Sequence, residues 1–185
     1  MKSKIHENKK KINIMSKKIT LILAFIGMIT LNSCTVNEDN TPDRDTISVV
    51  WEYTNVNFQP NSYSVVLNFP YGIASSDMVL VYRLSDVYQG QDVWKLMPES
   101  YFFDDGTLDF RFSNDFTRYN AEVRLEGFNL GDLNPNVRLN QVLRVVVVPG
   151  YFGNKAAKEV DFSDYNTTLQ AFNINDSHVK TFKLK

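Results

Sequence analysis

A period of two runs through this chain from Ile47 onward, and it leaves few choices of fold. Tyr63, Val65, Leu67 and Phe69 share one face of an extended segment, with Ser62, Ser64 and Asn68 on the other. Leu108, Phe110 and Phe112 alternate with Asp109 and Arg111, and Ala121, Val123 and Leu125 with Glu122, Arg124 and Glu126. Each stretch predicts a strand with one wet and one dry face. Met78 to Tyr82 and Val142 to Val148 are nearly continuous apolar runs, which suits interior strands, and Pro149-Gly150 ends the second. Asp104-Asp105-Gly106, between Phe102-Phe103 and Leu108, predicts a tight hairpin because glycine tolerates positive φ. Roughly six to eight strands without long intervening helices predict an all-β fold, an antiparallel β-sandwich of immunoglobulin-like or similar type. Tyr165, Leu169 and Phe172 fall at i, i+4 and i+7 after Ser163, so one short C-terminal helix with Ser163 as its N-cap should lie on the sandwich. Val179 to Leu184 supplies a last strand, and no repeat or Pro-rich hinge divides 47–185.

Ahead of this domain, Lys17 and Lys18 precede a 13-residue apolar run, Ile19 to Leu31. A membrane span needs about 20 apolar residues, so the run has the length of a signal-peptide core instead. Leu31-Asn32-Ser33-Cys34 follows directly and resembles the lipobox of bacterial lipoproteins. The resemblance implies that Leu31 and Ser33 are read by the lipoprotein signal peptidase and that Cys34 accepts a diacylglycerol and becomes the first mature residue. A lone cysteine in most chains is a buried thiol, but its place after the leader argues for lipidation. Met15 with Ser16-Lys17-Lys18 is a second candidate start, and the argument holds from either. Residues 1–33 thus read as a lipoprotein signal peptide and 34–46 as a lipidated cysteine with a flexible acidic tether. Glu38, Asp39, Asp43 and Asp45 close behind Cys34 resemble the surface-export signals of Bacteroidota lipoproteins, beside the plainer reading of a solvated linker. Asp45-Thr46-Ile47 resembles the O-glycosylation acceptor of that phylum, which would modify Thr46; a plain strand-entry threonine is the alternative.

Charge narrows the partners. Seven of the 20 basic residues and one of the 21 acidic ones precede Cys34, which leaves 13 against 20 behind it, a net of minus seven. That balance excludes nucleic acid, whose binding depends on Lys and Arg at phosphates, and disfavours docking on anionic lipid by charge. The membrane is instead reached through the N-terminal lipid, toward an address in the outer membrane. With Cys34 the one cysteine, no disulfide supports the fold.

The catalytic inventory is thin. Behind the leader the only histidine is His178, in a polar segment without a nucleophile elbow. Zinc lacks its His and Cys ligands, and no motif implies a cofactor. Asp104, Asp105 and Asp109, and Asp161, Asp164 and Asn173 to Asp176, carry hard ligands of the kind calcium takes, without EF-hand register. Turn and cap chemistry accounts for them as well.

Aromatic platforms for sugar rings are the specific alternative. Trp94 and Tyr88 are the candidate glycan contacts, with Trp51 more at home in a core. Trp94 follows Gln89-Gly90-Gln91-Asp92, which reads as a loop. Arg144 inside an apolar strand needs a carboxylate partner if it points inward, as a structural ion pair or a ligand clamp.

Together with the leader, Trp51-Glu52-Tyr53, the 79–84 strand, Trp94, the 101–106 hairpin and the Arg144-to-Pro149 strand resemble a family of small uncharacterised Bacteroidota, chiefly flavobacterial, lipoproteins. The resemblance implies an envelope location and a sandwich fold and brings no catalytic residues. The sequence therefore leads to an outer-membrane lipoprotein acting as a non-enzymatic binding or envelope-structural module with a protein or polysaccharide partner. A surface glycan-binding protein is the alternative.

Overall fold

The alternating segments form strands in a computed structural model of the protein, which describes residues 48–150 and 160–185, all within the compact unit Asp43–Lys185. The signal peptide, Leu31, Ser33, Cys34, the tether and Thr46 lie outside the described residues. In chain order the strands are β1 (Val49–Val56), β2 (Ser64–Asn68), β3 (Met78–Tyr88), β4 (Gln91–Leu96), β5 (Glu99–Phe102), β6 (Leu108–Phe116), β7 (Asn120–Gly127), β8 (Gln141–Val148) and β9 (Lys180–Lys183). They make a five-stranded sheet, β4-β3-β8-β1-β9, and a four-stranded sheet, β2-β7-β6-β5. All pairs are antiparallel except β9, which runs parallel to β1. The all-β sandwich read from the sequence is the architecture found.

The apolar runs lie where double-sided burial is needed. Leu143, Val145 and Val147 of β8 join Trp51, Tyr53, Val79 and Val81 in the core between the sheets, with Phe112, Val123 and Leu125 from the other side. Val146 and Val148 point the opposite way, with Val50, Leu80 and Tyr82. That outer face is covered by Leu169 of α2 (Tyr165–Ala171), by Phe172 at its end and by Phe162 and Ile174 beside it. The Tyr82 hydroxyl, whose pKa burial pushes up to about 12, bonds the Phe162 carbonyl at 2.7 Å and lies 3.0 Å from the Thr168 hydroxyl, tying the cover to the sheet.

Several local expectations need correction. Asp164, not Ser163, caps α2, accepting the Thr167 N–H at 2.9 Å, because Ser163 is held in a turn by Asp161. Gln91 and Asp92 belong to β4; the turn before them is only Gln89-Gly90, both at positive φ, as a tight two-residue hairpin requires. Leu108 lies beyond the core and is exposed, although Phe110 and Phe112 are buried as expected. A four-residue helix, α1 (Pro135–Arg138), was not foreseen; Asn134 caps it and Pro135 takes its first turn. The 104–106 hairpin forms as read, with Gly106 at φ 84° and Asp105 accepting from Thr107.

One charged pair sits inside the sandwich. Arg83 of β3 grips both carboxylate oxygens of Glu99 on β5 at 2.8 Å, and also reaches Gln141 at 3.1 Å and the Tyr101 hydroxyl at 3.0 Å. Burial pushes the Glu99 carboxyl up, but hydrogen bonds from Arg83 and Tyr101 and the charges of Arg83 and Lys95 outweigh it, so the group lies below its ordinary value. The stability it contributes is complete above the unfolded carboxyl range, roughly pH 4.3, and is lost as pH falls through the lower folded value. Urea unfolding should show Glu99→Ala costing roughly 3–5 kcal/mol near neutral pH and flattening the acid slope, whereas an Arg83→Met, Glu99→Leu pair costs far less.

Candidate functional site

The apolar cover of the five-stranded sheet does not reach its whole outer face. Along β8 that face runs Val148, Val146, Arg144, and the change from valine to arginine marks where the packing under α2 gives way to polar groups. There the described residues border an open hollow of about 400 Å³ lined by Gly90, Gln91, Asp92, Trp94, Arg144, Tyr165, Asn166 and Asp176. Its volume falls in the range of ligand pockets, roughly 300–1,000 Å³.

Arg144 is the centre of this site. Its Nε donates to Glu52 on β1 at 3.0 Å, and its Nη1 donates to Asp176 at 3.0 Å and to the Tyr165 hydroxyl at 2.9 Å. The guanidinium carbon lies 4.2 Å from the Trp94 ring centroid and 5.3 Å from that of Tyr165. Two carboxylates satisfy the requirement that a charge in an apolar strand be partnered. Burial raises the Tyr165 hydroxyl well above its ordinary range, against the opposing pull of Arg144, so it stays protonated and donates to Asp176 at 3.1 Å. Trp94, Arg144, Tyr165 and Asp176 are thus each held by at least one of the others before any ligand arrives, an arrangement that lowers the ordering cost of binding.

Among the sequence candidates, the structure brings Trp94 and Arg144 together and leaves Tyr88 apart. Trp94 is half-buried, packed against Tyr165 at 5.6 Å, and its indole N–H bonds no described residue. Tyr88 pairs with Gln91 across the β3–β4 turn, is 65% exposed and is not part of the hollow's lining. Trp51 is 3% exposed and lies in the core against Phe69 and Tyr71, as expected of it. Among the described residues His178 meets only the hydroxyl of its chain neighbour Ser177, at 2.9 Å, and neither residue lines the hollow. Tyr165, Asn166 and Asp176 were missed as site residues. The sequence shows Tyr165 only as part of a helix face, and Asp176 only among oxygens of the kind calcium takes.

In a Trp51→Phe background Trp94 is the sole indole. Arg144→Ala there should shift Trp94 emission to longer wavelength, because removing the stacked guanidinium admits water to the ring, while Asn166→Ala leaves it unchanged. Compared with known proteins, the chain matches no family model, no curated protein and no solved structure, so the reading of this hollow rests on its own chemistry.

Proposed function

We propose that this chain is an outer-membrane lipoprotein, anchored through Cys34, whose β-sandwich is a non-enzymatic binding module with the Trp94–Arg144 hollow as its binding face. The observation that carries the binding reading is the hollow itself, a polar recess with a prearranged guanidinium, tyrosine and carboxylate around a half-buried indole. Arg144, Tyr165 and Asp176 hold one another rather than standing ready to react. Asp176 accepts from both Arg144 and Tyr165, and no histidine or cysteine lies among the lining residues to act as nucleophile or proton carrier. The anchor rests on the leader and on Leu31-Asn32-Ser33-Cys34. No helix of the described residues is long and apolar enough to cross a membrane.

The alternative of a glycan-binding surface protein is favoured by one observation, the indole set beside amide and carboxylate groups in the same recess. It is a narrower form of the same proposal.

Fractionation of cells producing the wild type and Cys34→Ala tests the anchor. The wild type should sediment with outer membrane and the variant should be lost from that fraction, released or held elsewhere by its uncleaved leader; a variant that still reaches the outer membrane contradicts it. Incubated with polysaccharides, the purified Cys34→Ala protein should leave their chain length unchanged, and measurable shortening would contradict the non-enzymatic reading.

A further inference from the structure

Resting on the reading of the hollow as the binding face, we infer that its ligand is a neutral, hydroxyl-rich ring, the chemistry of an uncharged saccharide unit. Charge comes first. The hollow is lined by two carboxylates, Asp92 and Asp176, and one guanidinium, Arg144, which already has Glu52 and Asp176 as partners. An incoming carboxylate, sulfate or phosphate would meet more negative charge than positive at short range, and the chain's net charge behind Cys34 adds to the repulsion. The same carboxylates attract a cation, but in the hollow it would meet the Arg144 guanidinium at close range. The aromatic faces that would attract it are occupied by Arg144, at 4.2 Å from Trp94 and 5.3 Å from Tyr165.

Polarity excludes a purely apolar ligand. Arg144 uses Nε and Nη1 in its contacts, and its Nη2 hydrogen-bonds no described residue, so two N–H groups are left for a ligand oxygen. The Trp94 indole N–H is equally uncommitted among the described residues. Gln91 and Asn166 each bring an amide that donates and accepts, and Asp92 accepts. A ring carrying several hydroxyls, each both donor and acceptor, matches this mixture without requiring any group to be left unpaired. Leaving one unpaired is what rejects ligands that lack hydroxyls. Trp94, half-buried at one side, then supplies apolar area for the C–H face of such a ring.

Affinity electrophoresis of the full chain carrying Cys34→Ala tests the inference. Gels would contain neutral polymers (laminarin, galactomannan, starch), acidic ones (alginate, polygalacturonate) or poly-lysine. At least one neutral polymer should retard the protein and the acidic ones should not. Gln91→Ala and Asn166→Ala, on the exposed rim, should weaken the retardation about tenfold with an unchanged thermal midpoint. Retardation by alginate, polygalacturonate or poly-lysine alone, weakened by these same variants, overturns the neutral ligand while the binding module stands. Absence of any variant-sensitive retardation overturns the binding face as well.

Discussion

Burial of the five-stranded sheet on both faces is the constraint on which the rest of this structure depends. β8 lies at its centre, and its successive valines leave no wet side for the greater part of its length. One face is satisfied by the four-stranded sheet, as in any sandwich. The other requires a second cover, which the C-terminal segment supplies through Leu169, Phe172, Phe162 and Ile174. With a cost of roughly 1.5–3 kcal/mol for each large apolar side chain left in water, an uncovered outer face would not be tolerated in a domain without disulfides. The segment from Phe162 to Ile174 is therefore structural before it is anything else.

The hollow is a consequence of that cover stopping short. Where α2 begins, Tyr165 and Asn166 turn from packing to lining, and the sheet beneath changes from Val146 to Arg144. Arg144 joins β1, β8 and the segment after α2 by binding Glu52 and Asp176, so the pair that closes the polar edge of the cover also builds the recess. Arg83 and Glu99 play the comparable part inside the sandwich, tying β3 to the edge strand β5. In both places an arginine in an apolar strand holds two layers together. They differ in what surrounds them, since Arg83 is sealed by aromatic rings and Gln141 while Arg144 borders open space.

How much of this was legible follows from the range of the interactions. Period-two alternation is local, and it located the strands around Val65, Phe110 and Val123 and the two-faced runs of β3 and β8. The 104–106 turn and the α2 stripe are equally local signals. Arg144 stood out as a charge in an apolar run, yet its partners lie 92 and 32 positions away, and no sequence pattern joins residues at that distance. Arg83 gives the same signal, but nothing local distinguishes its cross-sheet partner, 16 positions on, from the other acids nearby. Gln89-Gly90 was a legible two-residue turn, read too long because Gln91 and Asp92 are polar; in fact they are the exposed start of β4, and that places Trp94 in a strand at the rim of the recess.

Amide and indole chemical shifts during titration with a neutral oligosaccharide test the central claim most directly, because they report where a ligand sits as well as whether it binds. The account predicts saturable shifts of the Trp94 indole N–H and of the Gly90, Gln91, Asn166 and Asp176 amides. Shifts confined to exposed aromatic positions remote from the hollow's lining, such as Phe102 or the 89% exposed Phe128, would contradict it, as would no shift at all with any neutral sugar.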